Sequence, residues 1–161
     1  MGRSRGGITT KIHARVDAKG RPVCLLISPG EAHDASCADA LLNGLENGAI
    51  VIADKAYDAD NIRAHIRHQG AVPNIPNRSN RKTKYRWTKA LYRERNRVER
   101  FFNRLKQFRR IATRYDKLGA NFFAFVKLAS MRIWLRSIES TPYRAGKAQE
   151  RRIRDESVKL L

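Results

Sequence analysis

The sequence predicts an α/β protein in which helices flank a mixed sheet. Residues 8–16 alternate between apolar and polar side chains, which is the pattern of a strand. Two unbroken apolar runs, 23–27 and 49–53, have the length and composition of buried strands. The second half of the chain instead repeats its apolar residues at helical spacing. This combination is typical of a sheet covered by helices.

The composition limits the class of protein. The chain has 161 residues, of which 42% are apolar, and this suits one domain with a substantial core. Its longest apolar runs are about five residues, well below the roughly 18 that a membrane span requires, so no membrane partner is expected. The only cysteines, Cys24 and Cys37, are too few for a disulfide framework. We therefore predict a soluble protein of the reducing cytoplasm.

An antiparallel hairpin begins the predicted order of elements. Residues 8–16 form its first strand, half-buried, and a turn at 17–20 leads to a second strand, 23–27, covered on both faces. A hairpin this close to Met1 leaves an exposed edge or needs a partner strand. The other predicted elements are a helix at 37–45, a strand at 49–53, a helix at 59–69, an extended segment at 71–75, and helices at 88–108 and 121–137. Residues 1–138 make up the predicted domain, and 139–161 form a polar tail with a weak terminal helix.

Positive charge is concentrated in one part of the chain. The formal net charge is +19, from 34 Lys and Arg against 15 Asp and Glu, and residues 78–117 alone carry 16 basic and 3 acidic residues. A localised basic stretch is typical of a protein that binds a polyanion, most often nucleic acid. The alternative is a basic surface that is only solvated.

The helix predicted at 88–108 divides into three stripes when its residues are placed at 100° per step. One stripe is apolar and buried, and a second is a column of arginines that faces solvent as a track for phosphates. The third is a narrow polar stripe along the border of the apolar face. The apolar stripe contains Leu91, Val98, Phe101, Phe102, Leu105 and Phe108, the column contains Arg93, Arg97, Arg100 and Arg104, and the border stripe contains Tyr92, Arg95, Glu99 and Lys106. Glu99 at this border can meet a carboxylate from a strand end, or it can form only an i, i+4 ion pair with Arg95.

Asp54 follows the apolar run 49–53 directly. It therefore lies at the carboxyl end of a predicted buried strand, where open α/β sheets place their ligand-binding groups. The alternative is that Asp54 caps the turn at 55–58. Asp54 and the border stripe are thus the two candidate parts of a functional site.

These motifs resemble the DDE transposases of bacterial insertion sequences. The resemblance rests on Ile52-Ala53-Asp54-Lys55-Ala56-Tyr57-Asp58 and on the signature Tyr92-x2-Arg95-x3-Glu99-x6-Lys106. The segments 2–13 and 125–130 extend it over roughly residues 2–138. It implies a ribonuclease-H-like fold in which two Asp and one Glu hold two divalent metal ions, usually Mg²⁺, and DNA strands are cut and joined at the ends of the element.

The resemblance assigns roles to particular residues. Asp54 is expected to be the second catalytic and metal-binding Asp, and Glu99 the catalytic and metal-binding Glu. Tyr92, Arg95 and Lys106 are expected to contact or orient DNA phosphates near the site. Asp17, in the hairpin turn, is expected to lie far from it.

No residue here fills the position of the family's first Asp, which lies on the strand before the hairpin. The sequence is therefore interpreted as the carboxyl-terminal part of a transposase, lacking its first strand and with little activity alone. The expected partners are DNA, at transposon ends and target, an upstream-frame product or an intact transposase, and further copies in an oligomer on DNA. Its expected place is the nucleoid of a bacterial cytoplasm.

Two other functions stay open. One is a non-catalytic DNA-binding fragment that modulates an intact transposase, and the other is a general RNA-binding or ribosome-associated basic protein. Tyr85 and Trp87 can stack on bases, although Trp87 can equally pack beneath the long helix. His13 is expected on the polar face of its strand.

Overall fold

The computed structural model describes residues 2–4, 7–139 and 158–160. It contains six strands and six α-helices within those ranges. The strands are β1 (Gly2–Ser4), β2 (Gly7–Val16), β3 (Pro22–Pro29), β4 (Ile50–Ile52), β5 (Val72–Asn74) and β6 (Val158–Leu160). The helices are α1 (Ala38–Leu42), α2 (Asp60–His68), α3 (Lys89–Tyr92), α4 (Asn96–Lys106), α5 (Arg109–Ala112) and α6 (Gly119–Glu139). The predicted α/β class, a mixed sheet with helices, is confirmed.

The predicted hairpin is formed by β2 and β3. The two strands pair antiparallel from Thr10–Pro29 to Val16–Pro22, with a register shift between Arg15 and Val16. In the turn, the Gly20 amide donates to the Asp17 carbonyl at 2.9 Å. Gly20 has a φ of +75°, which glycine adopts without the strain that a side chain would bring.

Strand β6 lies between β2 and β4. It runs antiparallel to β2, where Leu160 pairs with Val16, and parallel to β4 along three residues. With β5 parallel to β4 and β1 paired to the start of β2, the order across the sheet is β3-β2-β6-β4-β5. The sequence predicts a weak helix at the end of the chain, but residues 158–160 are a strand, because β2 and β4 offer them backbone hydrogen-bonding partners. Residues 140–157 of the predicted tail lie outside the described part.

Helices cover both faces of the sheet. On one face, α1 and α2 pack with β4 in a cluster that includes Leu41, Leu42, Val51, Ile62 and Ile66. On the other face, α4 and α6 pack on β2 and β4. That second cluster includes Ala14, Val16, Ile52, Val98, Phe101, Leu105, Phe122, Val126 and Ile133.

The burial of the hairpin differs from the prediction in both strands. In β2 two residues of the polar face, His13 and Arg15, are buried as well, because α1 packs on this face. His13 Nε2 lies 2.7 Å from Ser28 Oγ, and Arg15 Nη1 donates to the Asn43 carbonyl at 2.9 Å. Burial lowers the pKa of Arg15, although the nearby Cys24 and Glu46 oppose that shift. β3 is not covered on both faces, since Val23 remains 49% exposed.

The helix predicted at 88–108 is one helical path with a tightened turn. α3 and α4 are joined by a 3₁₀ turn at Arg93–Arg95. Tyr92, Arg95 and Asn96 all have right-handed helical backbone angles. Side chains three residues apart eclipse in a 3₁₀ turn, so Tyr92 is aligned with Arg95.

Candidate active site

Asp54 is the second residue after β4, which ends at Ile52. Its backbone is extended, with φ −68° and ψ 159°, and it precedes a 3₁₀ turn at Lys55–Tyr57. The carboxylate makes no capping hydrogen bond to that turn, and 37% of the side chain is exposed. Asp54 therefore does not cap the turn at 55–58, which was the alternative role for it. The carboxylate is instead directed towards the start of α4.

Arg95 joins Asp54 to Glu99. Its Nη2 donates to Asp54 Oδ2 at 3.0 Å and lies 3.1 Å from Glu99 Oε1. Because both carboxylates touch one nitrogen atom, their nearest oxygens are no more than about 6 Å apart. The i, i+4 ion pair considered for Arg95 and Glu99 does form, but it is part of a three-residue bridge that spans two elements.

Tyr92 holds Arg95 in this position. Arg95 Nε donates to the Tyr92 hydroxyl at 3.3 Å, and the guanidinium lies 5.9 Å from the Tyr92 ring centroid. Burial lowers the pKa of Arg95, but the hydrogen bond to Tyr92 and the charges of Asp54 and Glu99 outweigh it, so the pKa is raised. Arg95 therefore stays positively charged at every physiological pH.

The other basic residues of this helical path face solvent. Lys106 is exposed two turns beyond Glu99, roughly 10 Å along the axis. In the arginine column, Arg93, Arg100 and Arg104 are exposed, whereas Arg97 is half-buried and pairs with Glu94 at 2.5 Å. Three of the four column residues are thus open to a ligand.

A buried acid–base cluster that the sequence did not indicate lies behind the site. Asp58, with no exposed side-chain surface, accepts from Arg63 Nε at 2.8 Å and from the Arg78 amide at 2.7 Å. Arg81 Nη1 lies 3.2 Å from the same carboxylate. Burial alone would raise the pKa of Asp58, but these donors outweigh it, so the pKa is lowered. In the sequence, Asp58 appears only as the last residue of the motif at 52–58, five residues before Arg63 of an amphipathic helix, and neither feature indicated a buried cluster.

Tyr85 is occupied by this cluster. The guanidinium groups of Arg63, Arg67 and Arg81 lie 4.5, 5.1 and 4.7 Å from its ring centroid, and its hydroxyl donates to Asp60 at 2.9 Å. These contacts disfavour the stacking of Tyr85 on bases, which the sequence left open. The loop that contains Tyr85 is fixed on the α2 side of the sheet.

Trp87 both packs against the long helix and remains partly exposed, so neither of its two predicted roles is excluded. Its ring meets Tyr92 edge to face, with centroids 5.7 Å apart and planes at 76°. It is nevertheless 37% exposed. Nearby, Asn74 and Thr88 exchange hydrogen bonds of 2.6 and 3.2 Å, which attach the start of α3 to the end of β5. The helix that carries Tyr92 and Arg95 is thus positioned from the sheet.

No third acidic ligand joins Asp54 and Glu99 within the part of the chain that the structure describes, where no group of three or more His, Cys, Asp or Glu is arranged to hold a metal ion. Asp17 accepts from the Lys19 and Arg21 amides at 2.9 Å and from Arg21 Nε at 2.6 Å. Val16 aligns with Ile52 through Leu160, and β2 runs opposite to β4. The hairpin turn and Asp54 therefore lie on opposite sides of the level at which Val16 and Ile52 align.

Comparison with known proteins agrees with this arrangement of motifs. The profile of the transposase DDE domain matches residues 2–134. The chain belongs to the transposase DDE family. The resemblance to bacterial insertion-sequence transposases is thereby confirmed, and the general RNA-binding alternative is not supported.

Three transposases illustrate the relationship. The chain is 45% identical over 133 residues to a putative transposase for insertion sequence element IS6501 of Brucella ovis, a match that covers 80% of this chain and 100% of that protein. It is 30% identical over 141 residues to a putative transposase for IS402 of Burkholderia cepacia, which covers 78% of this chain and 62% of that protein. Over 60 residues it is 43% identical to a transposase for IS1106 of Neisseria meningitidis, which covers 37% of this chain and 21% of that protein.

The chain therefore spans the whole Brucella relative but less than two thirds of the other two. No solved structure matches it. Among the described residues, every helix falls short of the combination of length and apolar character that crossing a bilayer demands.

Proposed function

We propose that this transposase domain supplies two of the three carboxylates of a site that cleaves and joins DNA strands at insertion-sequence ends. The observation that carries the proposal is the convergence of Asp54 and Glu99 on one nitrogen atom of Arg95, from a strand end and a helix far apart in the chain. The ion pair between Arg95 and Glu99 of the same helix would not require Asp54, a second carboxylate that follows β4. A metal site would.

The residues suit a divalent cation. Carboxylate oxygens are the ligands that Mg²⁺ prefers, and both acidic side chains are open to solvent, with 37% of Asp54 and 58% of Glu99 exposed. Two divalent ions, when bound, would supply activation of the attacking oxygen and stabilisation of the leaving oxygen in an in-line displacement. The contribution of Asp54 and Glu99 is to place negative charge and oxygen ligands at the reacting phosphodiester.

The cationic residues hold the DNA. Arg95 and Tyr92 lie next to the carboxylates and would orient the phosphate nearest the cleaved bond. Lys106 and the exposed arginines of the column would bind phosphates further along the strand, since phosphate contacts position a duplex without reading its sequence. A ribonuclease-H-like fold is consistent with this arrangement, because its carboxylates come from strand ends and from a helix packed on the sheet.

Two carboxylates are too few for the three-carboxylate site of this family. We infer that a further acidic ligand comes from another polypeptide segment, such as an upstream-frame product or an intact transposase in an oligomer on DNA. The chain alone would then bind DNA, in the bacterial nucleoid, with little cleavage activity. The second candidate, a non-catalytic fragment that modulates an intact transposase, is favoured by the same absence of a third acidic ligand among the described residues.

Metal binding tests the proposed site. We expect Asp54→Asn and Glu99→Gln each to weaken Mn²⁺ binding at least tenfold in calorimetric titrations, because each removes a charged oxygen ligand. Glu94→Gln is the matched control, since Glu94 is an acid of the same helical path that pairs with Arg97 instead. Equal Mn²⁺ affinity in all four proteins would refute the site and leave the modulating fragment as the function.

The salt dependence of DNA binding tests the column. We expect Arg93→Gln/Arg100→Gln to lower the slope of log K against log salt concentration by about 1.8, because each lost phosphate contact is worth about 0.9. Fluorescence anisotropy with a labelled duplex measures this slope. An unchanged slope would mean that the column is only a solvated surface.

A further inference from the structure

A second cationic surface, which shares Arg104 with the arginine column, lies beside the end of α4. A cavity of about 790 Å³ is enclosed by the β2–β3 turn, the end of α4 and the last turns of α6. Its lining includes four cations, Lys19, Arg104, Arg132 and Arg136, and an apolar floor of Phe108 and Ile133. No carboxylate is among the lining residues that the structure describes. A concave surface with charge of one sign focuses the field on an anionic ligand.

These cations are available for a ligand. All four side chains are exposed, and none of them forms an ion pair with a described residue. They come from three separate elements, so no single helix face accounts for their convergence. Arg97, in contrast, is neutralised by Glu94.

Helix-dipole compensation explains only half of the set. Arg104 and Arg136 lie in the last turns of α4 and α6, where a cation is stabilised by the partial negative charge of the helix end. Lys19 is in a turn between strands, and Arg132 lies two turns before the end of α6. A role in stabilising helix ends therefore leaves Lys19 and Arg132 without a purpose.

The cavity is separate from the carboxylate pair. The β2–β3 turn and Asp54 lie on opposite sides of the level at which Val16, Leu160 and Ile52 align, although Gly20 of the turn lies against Arg97. Along α4, Arg104 is nine residues beyond Arg95, which corresponds to about 14 Å. Phosphates on one DNA strand are spaced at about 3.4 Å along the duplex axis. If the duplex axis runs parallel to α4, the distance corresponds to roughly four nucleotides.

We propose that this cavity is a second DNA-backbone site, which binds duplex phosphates roughly four nucleotides away from those held beside Asp54. The inference rests on the proposed function, because it assumes that DNA is the polyanion that this domain binds. The site would hold the duplex in register along α4 and contribute affinity without contacting the reacting bond. Its ligand is the sugar–phosphate backbone, so its contribution is independent of base sequence.

Lys19→Gln/Arg132→Gln tests the proposal, because these two cations have no role in helix-end stabilisation. We expect the slope of log K against log salt concentration to fall by about 1.8 for a labelled 20-base-pair duplex. Lys82→Gln/Lys84→Gln removes the same charge from exposed positions in the loop that Asp58 and Asp60 hold near α2. This control should leave the slope unchanged.

The outcomes separate this inference from the proposed function. A fall in slope for Arg93→Gln/Arg100→Gln but none for the cavity variant would overturn the second site and leave DNA binding by the column intact. No fall in either variant would overturn both. A lower melting temperature with an unchanged slope would show that the cavity cations are structural only. Should the double variant fail to fold, Lys19→Gln alone, in an exposed turn, is expected to lower the slope by about 0.9.

Discussion

Replacing Asp58 by Asn is expected to destabilise the domain by about 3–5 kcal/mol, which lowers the melting temperature by roughly 6–20 °C. The reason is that Arg63, whose side chain is fully buried, would lose its only ion-pair partner among the described residues. Arg63 Nη1 already has no hydrogen-bond partner among the described residues, and the other groups that the guanidinium contacts, the Ile75 carbonyl at 2.8 Å and the Tyr85 ring, carry no charge that could replace the carboxylate. Differential scanning calorimetry measures the change.

Two controls make this prediction specific. Asp60→Asn, at an acid whose side chain is 75% exposed, should cost less than about 1 kcal/mol although Asp60 pairs with Arg81. Arg63→Met in the Asp58→Asn background should recover part of the loss, because it removes the unpaired charge. A change no larger than that of Asp60→Asn would mean that Asp58 does not hold the loop.

The cluster also predicts a dependence of stability on pH. The pKa of Asp58 is lowered in the folded state, so its carboxylate stabilises the fold when ionised. That contribution is complete above the ordinary carboxyl pKa, about 3.9, and is lost as the pH falls through the lower folded value. The stability of Asp58→Asn, measured by urea unfolding, should therefore fall less steeply below about pH 4 than that of the unmodified protein.

Replacing Arg95 by Gln is expected to strengthen Mn²⁺ binding about tenfold or more while weakening DNA binding. The guanidinium lies between Asp54 and Glu99, where a cation would have to displace it or share both carboxylates with it. A unit charge about 5 Å from a divalent ion opposes its binding by more than 1 kcal/mol even at the dielectric constant of water. Because Arg95 is also a phosphate ligand in the proposed function, the two affinities should change in opposite directions.

Calorimetric titration with Mn²⁺ and fluorescence anisotropy with duplex DNA measure the two affinities on the same protein. Arg93→Gln is the matched control, since Arg93 is an exposed arginine of the same 3₁₀ turn and forms no ion pair with Asp54 or Glu99. It should weaken DNA binding and leave Mn²⁺ binding unchanged. If Arg95→Gln weakened Mn²⁺ binding instead, the guanidinium would be a positioning group for the carboxylates and not their competitor.

Much of the framework was predictable because its signals are local. The strand 49–53, the helix 59–69 and the apolar stripe of the long helix are patterns of neighbouring residues, and Val98, Phe101 and Leu105 are buried as their spacing predicts. The stripe also placed Arg95 and Glu99 on one edge. The tightened 3₁₀ turn at Arg93–Arg95 was not predictable, because the same residues fit an α-helix equally well.

The long-range features were not predictable in the same way. His13 and Arg15 were expected on an open polar face, but α1 covers that face and both side chains are buried. The placement of β6 between β2 and β4 depends on backbone pairing with strands over a hundred residues away. Asp58 ends the motif at 52–58, but its structural role follows only from Arg63 and the loop residues Arg78 and Arg81 that pack onto it.

Sequence alone identified the family, the strand-end Asp54 and the stripe with Glu99, because these depend on residue identity and on spacing within one element. The meeting of Asp54 and Glu99 on Arg95 emerges only from folding, since it requires the end of β4 and the start of α4 to pack together. The cationic cavity at the other end of α4 has the same origin, because Lys19 and Arg132 are brought together from a turn and a helix. Spacing along a chain specifies which side of an element a residue occupies, whereas distances between elements are set by how the helices pack on the sheet.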